Sequence, residues 1–235
     1  MENESKTVWI TGGRSGIGNA IAAGFVRQNA TVYISSRDAG GLEEAATALG
    51  GNVHALACDV TDAEDVRAAY AQIAESHGQV DVLVNNAGAT VFSSFLESEV
   101  QDFDDLLATN LRGPFLTSKA VLPAMVERGT GTIVMINSMA ALQVFPNSSL
   151  YAATKGGLKM LSDCMRSEVR ASGVRVISVF PGATNTPIWP DKVREKHGSR
   201  MMTAEDVAHA VLTACSAPEQ VLFEDIVMQP IGGGI

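Results

Sequence analysis

Apolar runs of strand length alternate with helical patterns almost from one end of the chain to the other. The runs at 7–11 (TVWIT), 31–35 (TVYIS), 53–57 (VHALA), 80–84 (VDVLV), 132–136 (TIVMI), 174–180 (VRVISVF) and 225–228 (DIVM) predict strands. Several are continuously apolar, as expected of strands covered on both faces. Helix-length stretches lie between them at 16–29, 40–49, 62–77, 99–127, 150–172 and 203–216. Two carry start signals: Asp62 precedes AEDVRAAY, and Thr203 is followed by Asp206, close to a capping box. This alternation predicts parallel βαβ units with right-handed crossovers, hence an α/β fold with a doubly wound parallel sheet of about seven strands and helices on both faces. No linker, repeat or low-complexity stretch divides residues 1–235, which read as one domain. Residues 185–202 (NTPIWPDKVREKHGSRMM) break the rhythm, and a long insert after a strand predicts a short lid over a site.

Composition narrows the function classes. Aromatics make up only 6% of the 235 residues and Gly reaches 22, which suits helices packed closely on a sheet. The net charge of −9, without a Lys/Arg run, excludes the electrostatic footprint of a nucleic-acid binder. Cys58, Cys164 and Cys215 are widely spaced in apolar stretches and read as reduced core thiols. Neither they nor His54, His77, His197 and His209 show metal-ligand spacing, so no metal is expected. The start, MENESKTVW, is acidic and polar where a secretory leader would be basic and then apolar. With no apolar run of about 18 residues, no membrane partner is expected, and a soluble cytoplasmic protein is the default.

Three segments at predicted strand ends carry candidate chemistry. The first strand runs into Thr11-Gly12-Gly13-Arg14-Ser15-Gly16-Ile17-Gly18, and a helix follows. Glycines there let the backbone approach a pyrophosphate, and the helix N-terminus supplies free N–H groups and partial positive charge. Alone, the motif is equally compatible with a Gly-rich tight turn, and its spacing differs from GxGxxG. Asn85-Asn86-Ala87-Gly88 follows the fourth strand, where Asn side chains can hold a crevice open and Ala and Gly leave room for a ribose or adenine. An Asn-Gly-type turn without a ligand is its plain alternative.

The third segment is Tyr151-Ala-Ala-Thr-Lys155, with Ser138 upstream at the end of the 132–136 strand. Positions i and i+4 share a helix face, so Lys155 sits beside Tyr151. An ammonium about 4 Å from the phenol, at an effective dielectric of about 20, contributes about 4 kcal/mol, which would lower the phenol's pKa by about 2–3. Such a group donates a proton to a carbonyl oxygen or takes one from an alcohol. A solvated Tyr–Lys helix face is the alternative for the pair alone.

Taken together, these segments make the chain resemble the short-chain dehydrogenase/reductase family, in its single-domain, Rossmann-type branch. The likeness runs from Thr7 to about residue 230, through TGGRSGIG, Asp59-Val60, NNAG, Asn110 in the long helix, Ser138, YxxxK and Pro181-Gly182 with Thr186. The resemblance implies an oxidoreductase interconverting a ketone or aldehyde and an alcohol, with hydride carried by a nicotinamide. Tyr151 would be the acid/base, Lys155 would lower its pKa and hold the ribose hydroxyls, and Ser138 would orient the carbonyl. Asn110 would hold a helix irregularity and a water leading to Lys155. Asp59 would meet the adenine amino group and Thr186 the carboxamide or pyrophosphate. Gly12, Arg14, Ser15, Gly16, Ile17, Gly18, Val60, Asn86, Ala87, Gly88, Pro181, Gly182 and Thr184 would complete the cofactor site.

Ser36 occupies the place of the acidic residue that binds the 2′-hydroxyl of NAD in this family, and Arg37 follows with a guanidinium fork suited to a 2′-phosphate. NADP(H) is therefore the expected cofactor, with NAD(H) open because Asp38 lies next in line. Val144 and Trp189 are expected in an apolar substrate pocket with Ser138 and Tyr151, and Phe92, Phe145, Ile188, Met201 and Met202 are further candidates. The readings left beside this one are a nucleotide sensor or scaffold on the same fold, an NAD-dependent alcohol dehydrogenase, and an epimerase or dehydratase. The sensor needs none of the Asn110–Ser138–Tyr151–Lys155 set, and the epimerase usually needs a larger C-terminal part. Leu106, Leu107, Leu111, Phe115 and Leu116, with Leu150, Leu158 and Leu161, exceed what one-sided burial needs and predict a homodimer or homotetramer. In the monomeric alternative, Arg112, Lys119 and Arg166 would solvate the outer helix faces.

Overall fold

The computed structural model describes residues 5–234. Seven strands form a single parallel sheet in the order β3-β2-β1-β4-β5-β6-β7. They are β1 (Thr7–Thr11), β2 (Thr31–Ser36), β3 (Val53–Ala57), β4 (Val82–Asn85), β5 (Gly131–Ile136), β6 (Val174–Pro181) and β7 (Asp225–Met228). The helices are α1 (Gly16–Arg27), α2 (Ala39–Leu49), α3 (Ala63–His77), α4 (Val100–Leu107), α5 (Gly113–Arg128), α6 (Ser149–Val169), α7 (Asp191–His197) and α8 (Ala204–Cys215). The doubly wound α/β expectation holds.

Continuously apolar strands have their cause in two cores. Val8 and Ile10 of β1 pack with Val84, Val134, Phe25 of α1 and Val207 and Val211 of α8. Trp9, between them, points the other way onto Leu83, Ile133, Ile73 of α3 and Met125 of α5. Side chains alternate across a strand, so β1 needs apolar groups at every position when helices cover both faces. Among the described residues no helix is long and apolar enough to cross a membrane.

Local signals set the helix starts. The Asp62 carboxylate accepts from the N–H groups of Glu64 and Asp65 at 2.7 and 3.1 Å. Thr203 and Asp206 form a reciprocal capping box at 3.1 and 2.8 Å. Each satisfies backbone donors that the first helical turn leaves orphaned.

Four expectations need correction. The single helix over 99–127 is two, joined by a π-turn at Ala108–Arg112. Gly113 N–H bonds the Ala108 carbonyl five residues back, and Pro114 has no N–H to offer the carbonyl of Asn110. The strand expected from residue 80 begins at Val82, because the Asp81 carboxylate takes the Thr7 N–H at 2.8 Å before the ladder starts. Residues 185–202 are not irregular throughout: they contain α7 and a 3₁₀ turn at Gly198–Arg200. Cys58 and Cys215 are buried but Cys164 is exposed on the outer face of α6, so only two of the thiols belong to a core.

Candidate active site

The carboxyl ends of β1, β4, β5 and β6 converge on a cleft of about 1010 Å³. The Gly-rich turn forms one wall. Gly12 N–H bonds the Ser35 carbonyl at 2.7 Å, which folds the turn back over β2. Gly12 and Gly16 adopt φ of +65° and +56°, a region costly for any residue with a Cβ. Gly18 faces away from the cleft and serves contact instead: a Cβ there would stand 2.4 Å from Asn86 Nδ2. Asn86 Nδ2 in turn donates to the carbonyls of Thr11 and Gly12, each at 2.9 Å. Two of the strand-end motifs are thereby one hydrogen-bonded unit.

Asn85 and Asn110 brace the floor. Asn85 accepts from Thr117 Oγ1 at 2.5 Å and donates to Ser118 Oγ at 3.0 Å, tying β4 to α5. Asn110, fully buried in the π-turn, accepts from Ala89 N–H at 2.8 Å and donates to the Ala89 carbonyl at 2.9 Å and Thr154 Oγ1 at 3.1 Å. The helix irregularity expected at Asn110 is present, and it clamps the loop after β4 to α6.

Ser138, Tyr151 and Lys155 line the same cleft. Ser138 starts the 3₁₀ turn Met139–Ala141, and its Oγ accepts from Ala140 N–H at 3.1 Å. That leaves its hydroxyl hydrogen free for another acceptor. Lys155 is buried, and its ammonium donates to the Ile136 carbonyl at 2.9 Å. It sits 5.7 Å from the centre of the Tyr151 ring, over the ring face.

This geometry corrects the electrostatic expectation. Burial pushes the Tyr151 phenol above its ordinary value, and the neighbouring Ser138 hydroxyl offsets that only in part. Burial also draws Lys155 down to about 8. An ammonium held against a backbone carbonyl and over the ring face does not offset the desolvation of the phenolate. The neutral phenol, the proton-donating form, is favoured.

The end of β2 resolves the neighbours of Arg37. Asp38 starts α2, its carboxylate accepts from Gly41 N–H at 3.1 Å, and it pairs with Arg14 at 3.1 Å. Its charge is thus committed to a helix start and to the Gly-rich turn. Arg37, Ser36, Arg14 and Ser15 line the cleft at this end, with Asp59 and Val60 after β3. The Asp59 carboxylate accepts from Thr61 N–H and Oγ1 at 2.9 and 2.8 Å. Gly12, Gly16, Ile17, Ala87, Gly88, Pro181, Gly182, Thr184 and Thr186 also line it. The Gly-rich turn with Arg14, its positive-φ glycines and Arg37 after β2 fit a phosphate-bearing dinucleotide.

At the far end, Trp189 lines the cleft and Val144 does not: Val144 is 92% exposed, and Gln143, Phe145 and Pro146 line the wall around it. The loop turns Gln143, Phe145 and Pro146 to the cleft and Val144 to solvent, which a sequence without periodicity does not reveal. Gln229 and Pro230 also line the cleft and escaped the sequence reading. Their place just after β7 was the available signal, because ligands of such sheets bind at carboxyl strand ends. Among the described residues no group of His, Cys, Asp or Glu is arranged to hold a metal.

The profile of the family described as short chain dehydrogenase matches residues 6–197. The chain belongs to the short-chain dehydrogenase family. Family membership makes it an NAD(P)-dependent oxidoreductase acting on CH–OH groups. It is 36% identical to a sepiapterin reductase of Chlorobaculum tepidum, over 96% of both chains. An alcohol dehydrogenase from Thermococcus sibiricus, complexed with 5-hydroxy-NADP, is 29% identical and superposes with a TM-score of 0.88 over 97% of both chains. A closed serine dehydrogenase complexed with NADP+ is 28% identical, with a TM-score of 0.92 over 97% of this chain and 96% of the other.

Proposed function

We propose that this short-chain dehydrogenase is an NADP(H)-dependent carbonyl reductase. The observation that carries the reading is one continuous cleft with Arg14 and Arg37 at one end and Ser138, Tyr151 and Lys155 towards the other. When bound, the nicotinamide supplies the hydride; the chain does the rest. Ser138 donates a hydrogen bond to the substrate carbonyl oxygen and holds it at Tyr151. The neutral Tyr151 phenol gives its proton to that oxygen as the carbonyl carbon is reduced, completing the alcohol. Lys155 holds the ribose hydroxyls and re-protonates the phenolate, through a water braced by Asn110.

In this reading Arg37 and Arg14 bind the 2′-phosphate, Ser36 adds a hydroxyl, Asp59 meets the adenine amino group and Thr186 the carboxamide or pyrophosphate. Asp38, already engaged by Arg14 and α2, is less available to a ribose 2′-hydroxyl, which supports NADP over NAD. The NADP-bound relatives of similar fold support the same cofactor. Residues 185–202 act as a lid within a single domain of 1–235. The exposed free thiol of Cys164 suits a reducing, cytoplasmic setting.

The relative's name makes sepiapterin the first substrate to try. A panel of ketones, aldehydes and oxoacyl thioesters, followed by loss of NADPH absorbance, tests the reading. Absence of turnover with either nicotinamide rejects it. A homodimer or homotetramer is part of the same proposal, because Leu107, Leu111, Phe115, Gly157 and Leu161 border an apolar surface groove on α4, α5 and α6. Light scattering at several concentrations decides it, and a mass fixed near 24.7 kDa rejects assembly.

A further inference from the structure

Phe92, in the loop after β4, and Trp189, in the segment after β6, lie with ring centroids 5.2 Å apart and planes inclined by 12°. They follow the strands on either side of β5, and both line the cleft that holds Ser138 and Tyr151. Neither is sealed into a core: Phe92 is 46% exposed and Trp189 half-buried. Two large rings left partly wet in the same cleft as Ser138 and Tyr151 gain by covering themselves with a flat apolar partner.

Charge points the same way. Among the described residues, the charged side chains lining the cleft are Arg14, Arg37, Asp38 and Asp59 at the ends of β1, β2 and β3, and Lys155 beside Tyr151. Met139, Phe145 and Ile188 line it near the aromatic pair, where Gln143 adds an uncharged amide. A substrate carboxylate or ammonium there would lose its hydration without a counter-ion.

Resting on Tyr151 as the proton donor, we infer that Phe92 and Trp189 are specificity-determining residues, and that the site takes a neutral carbonyl compound carrying a planar aromatic or heteroaromatic ring. The ring lies against the aromatic pair and presents its carbonyl to Ser138 and Tyr151.

The test compares kcat/KM for acetophenone and cyclohexyl methyl ketone, which share a skeleton but not a planar ring, in the NADPH-loaded enzyme. Aromatic contacts contribute about 0.5–1.5 kcal/mol beyond burial, so Trp189→Ala and Phe92→Ala should each cost acetophenone about two- to tenfold more than the saturated ketone. Trp189→Phe should recover most of the loss. KM for benzoylformate should exceed that for its methyl ester by at least about tenfold, the charge being unpaired. Binding is read separately. Of the two tryptophans Trp9 is fully buried, so quenching by 1-phenylethanol in the NADPH-loaded protein, where the alcohol has no hydride acceptor, should vanish in Trp189→Phe. Equal losses for the two ketones, a preference for benzoylformate over its ester, or fluorescence unmoved by 1-phenylethanol overturns the inference. Quenching that is present while no carbonyl is turned over overturns the reductase reading and leaves the aromatic site standing.

Discussion

The Lys155 ammonium donates to the carbonyl of Ile136 at 2.9 Å, so the base of the YxxxK pair is anchored to the end of β5 and not to the phenol. That contact keeps a buried cation in place at a cost, because burial draws Lys155 from 10.5 to about 8.

The cost has a pH signature. Between about pH 8 and 10.5 the folded protein has released this proton and the unfolded chain still holds it, so stability rises with pH across that window. Below about 8 the penalty is fully present, about 3 kcal/mol. Lys155→Met should remove it. Denaturant unfolding at pH 7, 8, 9 and 10 should show the wild type gaining on the variant as pH rises; a constant difference would reject the account.

Tyr151→Phe removes only a hydroxyl from a half-buried ring. Fold and NADPH binding should persist while turnover falls by about 10²–10⁴. Steady-state rates beside a fluorescence titration of NADPH separate the two, and near-normal turnover would end the proton-donor assignment.

Arg37→Ala should weaken NADPH about tenfold while leaving NADH nearly unchanged, since only NADPH carries the 2′-phosphate. Dissociation constants by calorimetry check it. Equal changes for both cofactors would shift attention to Arg14, whose charge is shared with Asp38.

Arg166 is buried and donates to the carbonyls of Val176 and Glu224, to Ser178 Oγ, and to the carboxylates of Asp163 and Asp225. It therefore ties α6 to β6 and β7 and does not solvate an outer helix face. Arg166→Met should cost about 3 kcal/mol by leaving these acceptors unpaired, since partly exposed carboxylates recover some hydration. Urea unfolding measures it; a loss below about 1 kcal/mol would show that the network is dispensable.

Sequence alone determined the features whose cause is local. Strands at β1 and β5, helix starts at Asp62 and Thr203, and the shared face of Tyr151 and Lys155 follow from periods of 2 and 3.6 and from caps only a few residues long. The strand-end motifs were legible because parallel sheets gather such ends on one side. Tertiary structure alone decided where charge and surface go. Asp38 turns to Arg14, from a different strand end, and Asn110 finds Ala89 across 21 residues. Trp189 meets Phe92, while Val144 leaves the wall to Gln143 and Phe145. The Tyr151 phenol is raised, not lowered, because exclusion of water depends on every element packed around it. Periodicity reports which face of an element is apolar; it carries no record of which distant side chain, or how much water, that face will meet.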